Sequence, residues 1–154
     1  MNRSKAKGTA VETAFTRFAQ SYGFPYAMRR TLGGAIDKGD VLLTRDKAGS
    51  VIAECKGGAA AELASEALIR AWLEETERER VNAGADVALL VVKRRGVGHA
   101  RAHQWSAFLP LWALATTLTE RAAYAGPDAH VPVRMTVEGA LTVLRAHGWG
   151  ERLA

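Results

Sequence analysis

The feature that most constrains this chain is the run Asp86-Val87-Ala88-Leu89-Leu90-Val91-Val92-Lys93. It is continuously apolar, rich in valine and bounded by charges. A strand with one wet face alternates apolar and polar residues. A run with no alternation is a strand covered on both faces. The chain must therefore build a sheet with a layer on each side.

A second apolar unit precedes it. Asp40 opens the run Val41-Leu42-Leu43, a polar turn follows from Arg45 to Ser50, and the chain returns as Val51-Ile52-Ala53-Glu54-Cys55-Lys56. This reads as a β-hairpin with one charged end. Around these strands the helical pattern is expected from Thr9 to Gly23, with Val11, Phe15, Phe18 and Tyr22 on one face, and from Ala59 to Val81. Phe24 to Met28 is expected to add a short first strand. Trp105 to Phe108 reads as a further strand, Leu109 to Tyr124 as a helix and Ala125 to Asp128 as a loop. Val131 to Met135 reads as an edge strand and Thr136 as the cap of a last helix ending at His147. The order helix, hairpin, helix, strand gives the α/β class, with a mixed central sheet flanked by helices. At 154 residues one domain suffices. Within it the expected division is a flexible basic arm over residues 1–8, a core over 9–101 and an extension over 102–154 packed on the core.

The net charge of +5 favours an anionic partner. The single cysteine, Cys55, excludes an internal disulfide and a cysteine-based zinc site. The basic start Met1 to Lys7 has no apolar segment behind it, and no stretch is apolar enough to span a bilayer. A cytoplasmic protein without a membrane partner is the expectation.

The chemistry concentrates at the charged end of the hairpin. Alternation along a strand puts Glu54 and Lys56 on one face and Cys55 on the other. Asp40 and Glu54 are the expected direct ligands of a divalent cation, Mg2+ with Mn2+ as substitute, and the backbone carbonyl of Cys55 adds an oxygen. A cation there supports phosphodiester hydrolysis. Lys56 would orient the attacking water, help deprotonate it or contact the phosphate. Glu-x-Lys alone is too common to decide anything, and a same-face pair on a solvated sheet explains it better; with Asp40, the apolar hairpin and the Gly-rich exit added, the two readings weigh evenly.

Glu12 has two readings. Thr9 and Glu12 match a capping box, in which the glutamate reaches back to the cap N–H. Alternatively Glu12 supports the cation through a water. Asp37 competes with Asp40. The run Glu74 to Arg80 reads as a solvated helix face, although an acid from it could face the cation. His99 and His103 read as loop histidines, and Trp105, Trp112 and Trp149 as core or interface residues. Three basic groups flank these segments: Arg3, Lys5 and Lys7; Arg29, Arg30 and Lys38; Lys93, Arg94, Arg95 and Arg101. Lys5, Lys7, Arg29, Arg30, Lys38, Lys93, Arg94 and Arg95 are the candidate DNA contacts.

The order of these residues resembles a known family. Lys7-Gly8-Thr9-Ala10-Val11-Glu12, the loop to Gly39-Asp40, Glu54-Cys55-Lys56, and Asn82 to Asp86 leading into a valine-rich strand that ends Lys93-Arg94-Arg95-Gly96 are similar to archaeal-type Holliday junction resolvases. These belong to the PD-(D/E)XK nuclease superfamily, and the last segment also resembles resolvase-like proteins of bacterial viruses and their hosts. The resemblance covers roughly Lys7 to Gly96. It implies a restriction-endonuclease-like fold, a homodimer, a divalent metal and cutting of branched DNA, with Glu12, Asp40, Glu54 and Lys56 catalytic and Arg29 or Arg30 near the junction. Gly39 stands where the family has proline, and Thr13 where it often has arginine. The same residues also suit a duplex-cutting nuclease of that superfamily, for restriction, repair or nicking, or a basic DNA-binding protein without catalysis.

Overall fold

A computed structural model describes residues 3–31, 36–46, 49–114 and 131–154, without the side chains of residues 3–7 and 46. In chain order the elements are α1 (Arg3–Ser21), β1 (Met28–Arg29), β2 (Val41–Asp46), β3 (Gly49–Lys56), α2 (Gly58–Glu62), α3 (Glu66–Ala83), β4 (Val87–Val92), β5 (Ser106–Pro110), β6 (Pro132–Thr136) and α4 (Val137–Ala146). Short 3₁₀ turns cover His99–Gln104 and Leu111–Leu114.

Among the described residues the strands form one six-stranded sheet in the order β1-β2-β3-β4-β5-β6. β3 and β4 are parallel, and the other neighbours are antiparallel. The fold is thus α/β with a mixed sheet flanked by helices. All residues of β4 are buried, as its unbroken apolar run requires.

Alternation divides the sheet between its covering layers. Val51, Ala53 and Cys55 of β3, with Val87, Leu89 and Val91 of β4, face a core built by Val11, Phe15 and Ala19 of α1 and by Val137, Ala140, Leu141 and Leu144 of α4. Leu90 and Val92 face the other way, onto Ile69, Trp72 and Leu73 of α3. Ile52 and Ala88 share that second face. Glu54 and Lys56 follow Ile52 at even spacing and so point toward α3. The crossover between the parallel strands runs through α2 and α3, which places α3 over this end of the sheet.

Several elements differ from the sequence expectation. α1 begins at Arg3 rather than Thr9. Its early residues include Lys5, Ala6, Lys7 and Ala10, all good helix formers, and Gly8 alone does not stop it. Thr9 consequently lies inside the helix, where its carbonyl accepts the Thr13 hydroxyl at 2.8 Å, so the capping-box reading of Glu12 does not hold. The expected strand from Phe24 to Met28 is a turn closed by Ala27 N–H to Phe24 O at 2.9 Å, and pairing starts at Met28. The expected helix from Ala59 to Val81 is two helices. Ser65 accepts the Leu68 N–H at 3.1 Å and starts α3 anew, with Glu66 favourable in its first turn. Leu109 and Pro110 belong to β5 rather than to a helix. The rest of that expected helix beyond Leu114, and the loop Ala125 to Asp128, lie outside the described residues.

Other expectations match. Thr136 accepts the Gly139 N–H at 3.0 Å and caps α4. β6 is an edge strand. Trp105 and Trp149 are buried in the main core. Among the described residues beyond Arg101, β5, β6 and α4 belong to the same sheet and the same core as the preceding elements.

Gly57 has a packing reason. A Cβ on it would collide with the Val11 side chain, so the absence of one lets α1 lie directly across the end of β3. That approach brings Glu12, the next residue of α1, to the charged end of the hairpin.

Candidate active site

β2 begins at Val41, so Asp40 stands just before its end, beside β3. Its backbone N–H donates to Ala53 O at 3.1 Å, and its carboxylate accepts the Cys55 N–H at 2.9 Å. The side chain therefore adds one rung to the β2–β3 ladder. In an extended strand the N–H and C=O of one residue point to the same edge. The Cys55 carbonyl is thus directed to the same side as Asp40, past the start of β2. The Cys55 thiol points into the α1 core and burial pushes its pKa far up, which leaves it inert.

Glu54 is only 5% exposed and lies on the α3 side. Its Oε1 accepts Lys56 Nζ at 2.8 Å, and the same ammonium donates to Glu75 of α3 at 2.9 Å. Burial would pull Lys56 down, but the bonds and charges of Glu54 and Glu75 outweigh it and hold the lysine above its ordinary range. Lys56 is therefore a permanent cation. These ion pairs favour orienting water or contacting phosphate over its expected role in deprotonating water.

Glu79, one turn further along α3 from Glu75, is 2% exposed. Carboxylate oxygens of Glu54, Glu75 and Glu79 lie within 4.8 Å of one another. Burial raises Glu54 to about 8 despite Lys56, and Glu79 adds to the rise. Burial likewise raises Glu79 to about 7, against the lowering effect of a hydrogen bond shared with Glu54 and with the charges of Asp37 and Glu75 adding to the rise. Asp40 is raised to about 7, first by burial, then by the charge of Glu54, with a smaller contribution from Glu12 and against the effect of the Cys55 N–H. Crowded buried carboxylates resist ionising together unless a cation joins them.

Glu12 reaches the site from the α1 side and is paired with Arg29 of β1 at 2.7 Å. Arg29 stands opposite Val41 on the α1 face, which explains the pairing. Asp37 instead accepts the Gly39 N–H at 3.1 Å and closes its own loop. The structure brings Asp40, not Asp37, beside Glu54.

The basic candidates divide. Arg30 donates to Lys38 O, and Lys38 is exposed. Lys93 continues β4 next to the end of β3, its N–H bonded to Lys56 O at 2.9 Å, and its ammonium pairs with Glu62 at 2.5 Å. Arg94 and Arg95 are exposed beyond it, with Arg94 donating to Gln104 O. The side chains of Lys5 and Lys7 lie outside the described ones.

Sequence reasoning allowed an acid of the Glu74 to Arg80 run to face the site but did not single out Glu75 or Glu79. The solvated-face reading of Glu74 to Arg80 holds for the Glu77–Arg80 pair and fails for Glu79. A signal was present: Ile69, Trp72, Thr76 and Glu79 recur at helical spacing, so Glu79 prolongs an apolar stripe.

The arrangement can hold an oxygen-seeking divalent cation. Glu54 Oε2 is buried without a hydrogen-bond partner, and such an atom requires a proton or a cation. Protein-family models, curated proteins and solved structures were all compared with this chain, and none matches it.

Proposed function

We propose that the protein is a divalent-cation-dependent DNA endonuclease acting on branched DNA, of the Holliday junction resolvase type on a restriction-endonuclease-like fold. The observation that carries the reading is the convergence of half-buried Asp40 and buried Glu54 at the end of paired strands, with Lys56 fixed alongside. Mg2+, or Mn2+ in its place, would be held by Asp40, Glu54 and the Cys55 carbonyl, with Glu12 behind a water.

When bound, the cation neutralises the phosphate and acidifies a water. The protein's own part follows from its geometry. Asp40 and Glu54 fix the position by their attachment to adjacent strands. Lys56, always charged, presents N–H donors to a phosphate oxygen and orients the water rather than taking its proton. Arg29 holds the Glu12 carboxylate at the rim, from which either residue can meet the DNA backbone. Arg94, Arg95 and Lys38 offer further phosphate contacts.

Two symmetric nicks across a four-way junction require two sites related by a two-fold axis, so a homodimer is part of the proposal. Among the described residues no helix is long and apolar enough to cross a membrane. An intracellular setting, with DNA, is proposed from the function.

The test is cleavage of a labelled immobile four-way junction beside the matching linear duplex, with magnesium and with chelator. Paired symmetric nicks on the junction alone support the resolvase reading. Equal cutting of both substrates keeps the nuclease and removes junction selectivity. Tight binding without cutting removes the catalytic reading.

A further inference from the structure

Glu79 is a glutamate 2% exposed in a protein interior, and no N–H or hydroxyl donor among the described residues reaches either of its carboxylate oxygens, which face the Glu54 carboxyl. Glu54 Oε2 is in the same condition, while Glu54 Oε1 is taken by Lys56. Burying such a group without donors is strongly unfavourable. A methionine would prolong the apolar stripe of α3 at no such cost. One carboxylate oxygen from each of Glu54, Glu75 and Glu79 lies within 4.8 Å of the other two, with Glu75 and Glu79 a turn apart on one helix face.

We propose that Glu54, Glu75 and Glu79 form a second position for a hard divalent cation, on the α3 side of Glu54, next to the one shared by Glu54 and Asp40. The charge count fits. Three carboxylates and the Lys56 ammonium sum to a formal charge of minus two. The span fits as well. The three oxygens lie within 4.8 Å of one another, close enough for one divalent cation to draw them in as ligands. Lys56 would remain on Glu54 Oε1 and Glu75, so the ion uses the oxygens that Lys56 leaves. Glu54 then bridges the two positions, an arrangement found where paired cations act on one phosphate.

This inference rests on the preceding reading only in sharing Glu54 with Asp40. Its readout is cation binding, so absence of nuclease activity would leave it standing. Terbium, an oxygen-seeking ion of calcium-like size, is the probe. The Trp72 ring centre lies 5.9 Å from Lys56 Nζ and can sensitise terbium emission. Emission is titrated for the full-length wild type, Glu79→Gln, Asp40→Asn and Trp72→Phe, with far-UV circular dichroism as the folding control. Glu79→Gln should weaken the Trp72-sensitised binding by about tenfold or more, while Asp40→Asn changes it by less than about threefold. Trp72→Phe should remove the emission. Should Glu79→Gln fail to fold, Glu75→Gln, at a half-exposed member of the cluster, should show the same weakening. Equal weakening by the Glu79 and Asp40 variants would reduce the two positions to one and overturn the proposal. Unchanged binding in Glu79→Gln, or no sensitised emission in the wild type, would also overturn it and leave Glu54 and Glu79 sharing a proton.

Discussion

The Asp40 carboxylate accepts the Cys55 backbone N–H at 2.9 Å, so an acid of the site also closes a rung of the sheet. Its two roles can be separated by substitution. Asn at this position keeps an oxygen for the N–H but loses the charge, whereas Ala loses both. Asp40→Asn should fold with near-wild-type stability and lose DNA cleavage by about 100-fold or more. Asp40→Ala should lose cleavage equally and also be destabilised by about 1–2 kcal/mol, since the Cys55 N–H is left unpaired. Urea denaturation and single-turnover cleavage of both variants check this.

Lys56 joins Glu54 and Glu75, which hold it protonated in the cation-free protein. The rate of cleavage should therefore show no lysine titration between about pH 6 and 9. Lys56→Met should be destabilised by about 1–3 kcal/mol, below the value for a fully buried pair because Glu75 is partly exposed. The loss should be larger at pH 8 than at pH 6, because Glu54 can recover neutrality by taking a proton at the lower pH. Thermal melts of the variant at both pH values, and a pH–rate profile of the wild type, measure these effects.

The raised carboxyl values give the cation-free protein an unusual dependence on pH. Asp40 and Glu79 titrate at about 7 and Glu54 at about 8 when folded. Their unfolded values are near 4. Between about pH 4 and 8 the native state binds more protons than the unfolded state, so these groups make stability fall as pH rises. Lys56, also raised on folding, contributes in the same sense but only above about pH 10, outside this window. The melting temperature in chelator should drop by a few degrees from pH 6 to pH 8. Saturating magnesium should reduce that drop, since it binds the ionised carboxylates. A melting temperature that rises over this interval in chelator would contradict the burial of these acids.

Much of the scaffold was legible because the signals were local. The unbroken apolar run of β4 required cover on both faces, and Thr136 before Val137 marked the start of α4. Asp40, Glu54 and Lys56 could be grouped because hairpin pairing and strand alternation fix their neighbours. The role of Glu79 was not legible, since its burial depends on where the β3–β4 crossover lays α3. The same periodicity was in view, but its tail of charges read as solvent-facing. The start of α1 was misplaced because Thr9 and Glu12 imitate a cap, while the residues before them continue the helix on propensity alone.

The basic residues differ in what they are free to do. Arg95 is exposed at the turn after β4, whereas Lys93 is engaged by Glu62. Arg95→Ala should weaken junction binding and reduce the slope of log affinity against log salt by about 1, with no change in melting temperature. Lys93→Ala should lower both binding and stability. Fluorescence anisotropy over a salt series, with melts alongside, distinguishes them.

The most direct measurement is single-turnover cleavage of a four-way junction against magnesium concentration, for wild type and Asp40→Asn. The prediction is saturable, magnesium-dependent cutting by the wild type, none in chelator, and a loss of about 100-fold or more in Asp40→Asn with junction binding unchanged. Cutting that persists in chelator, or that survives in Asp40→Asn, would contradict a catalytic cation held by Asp40 and Glu54.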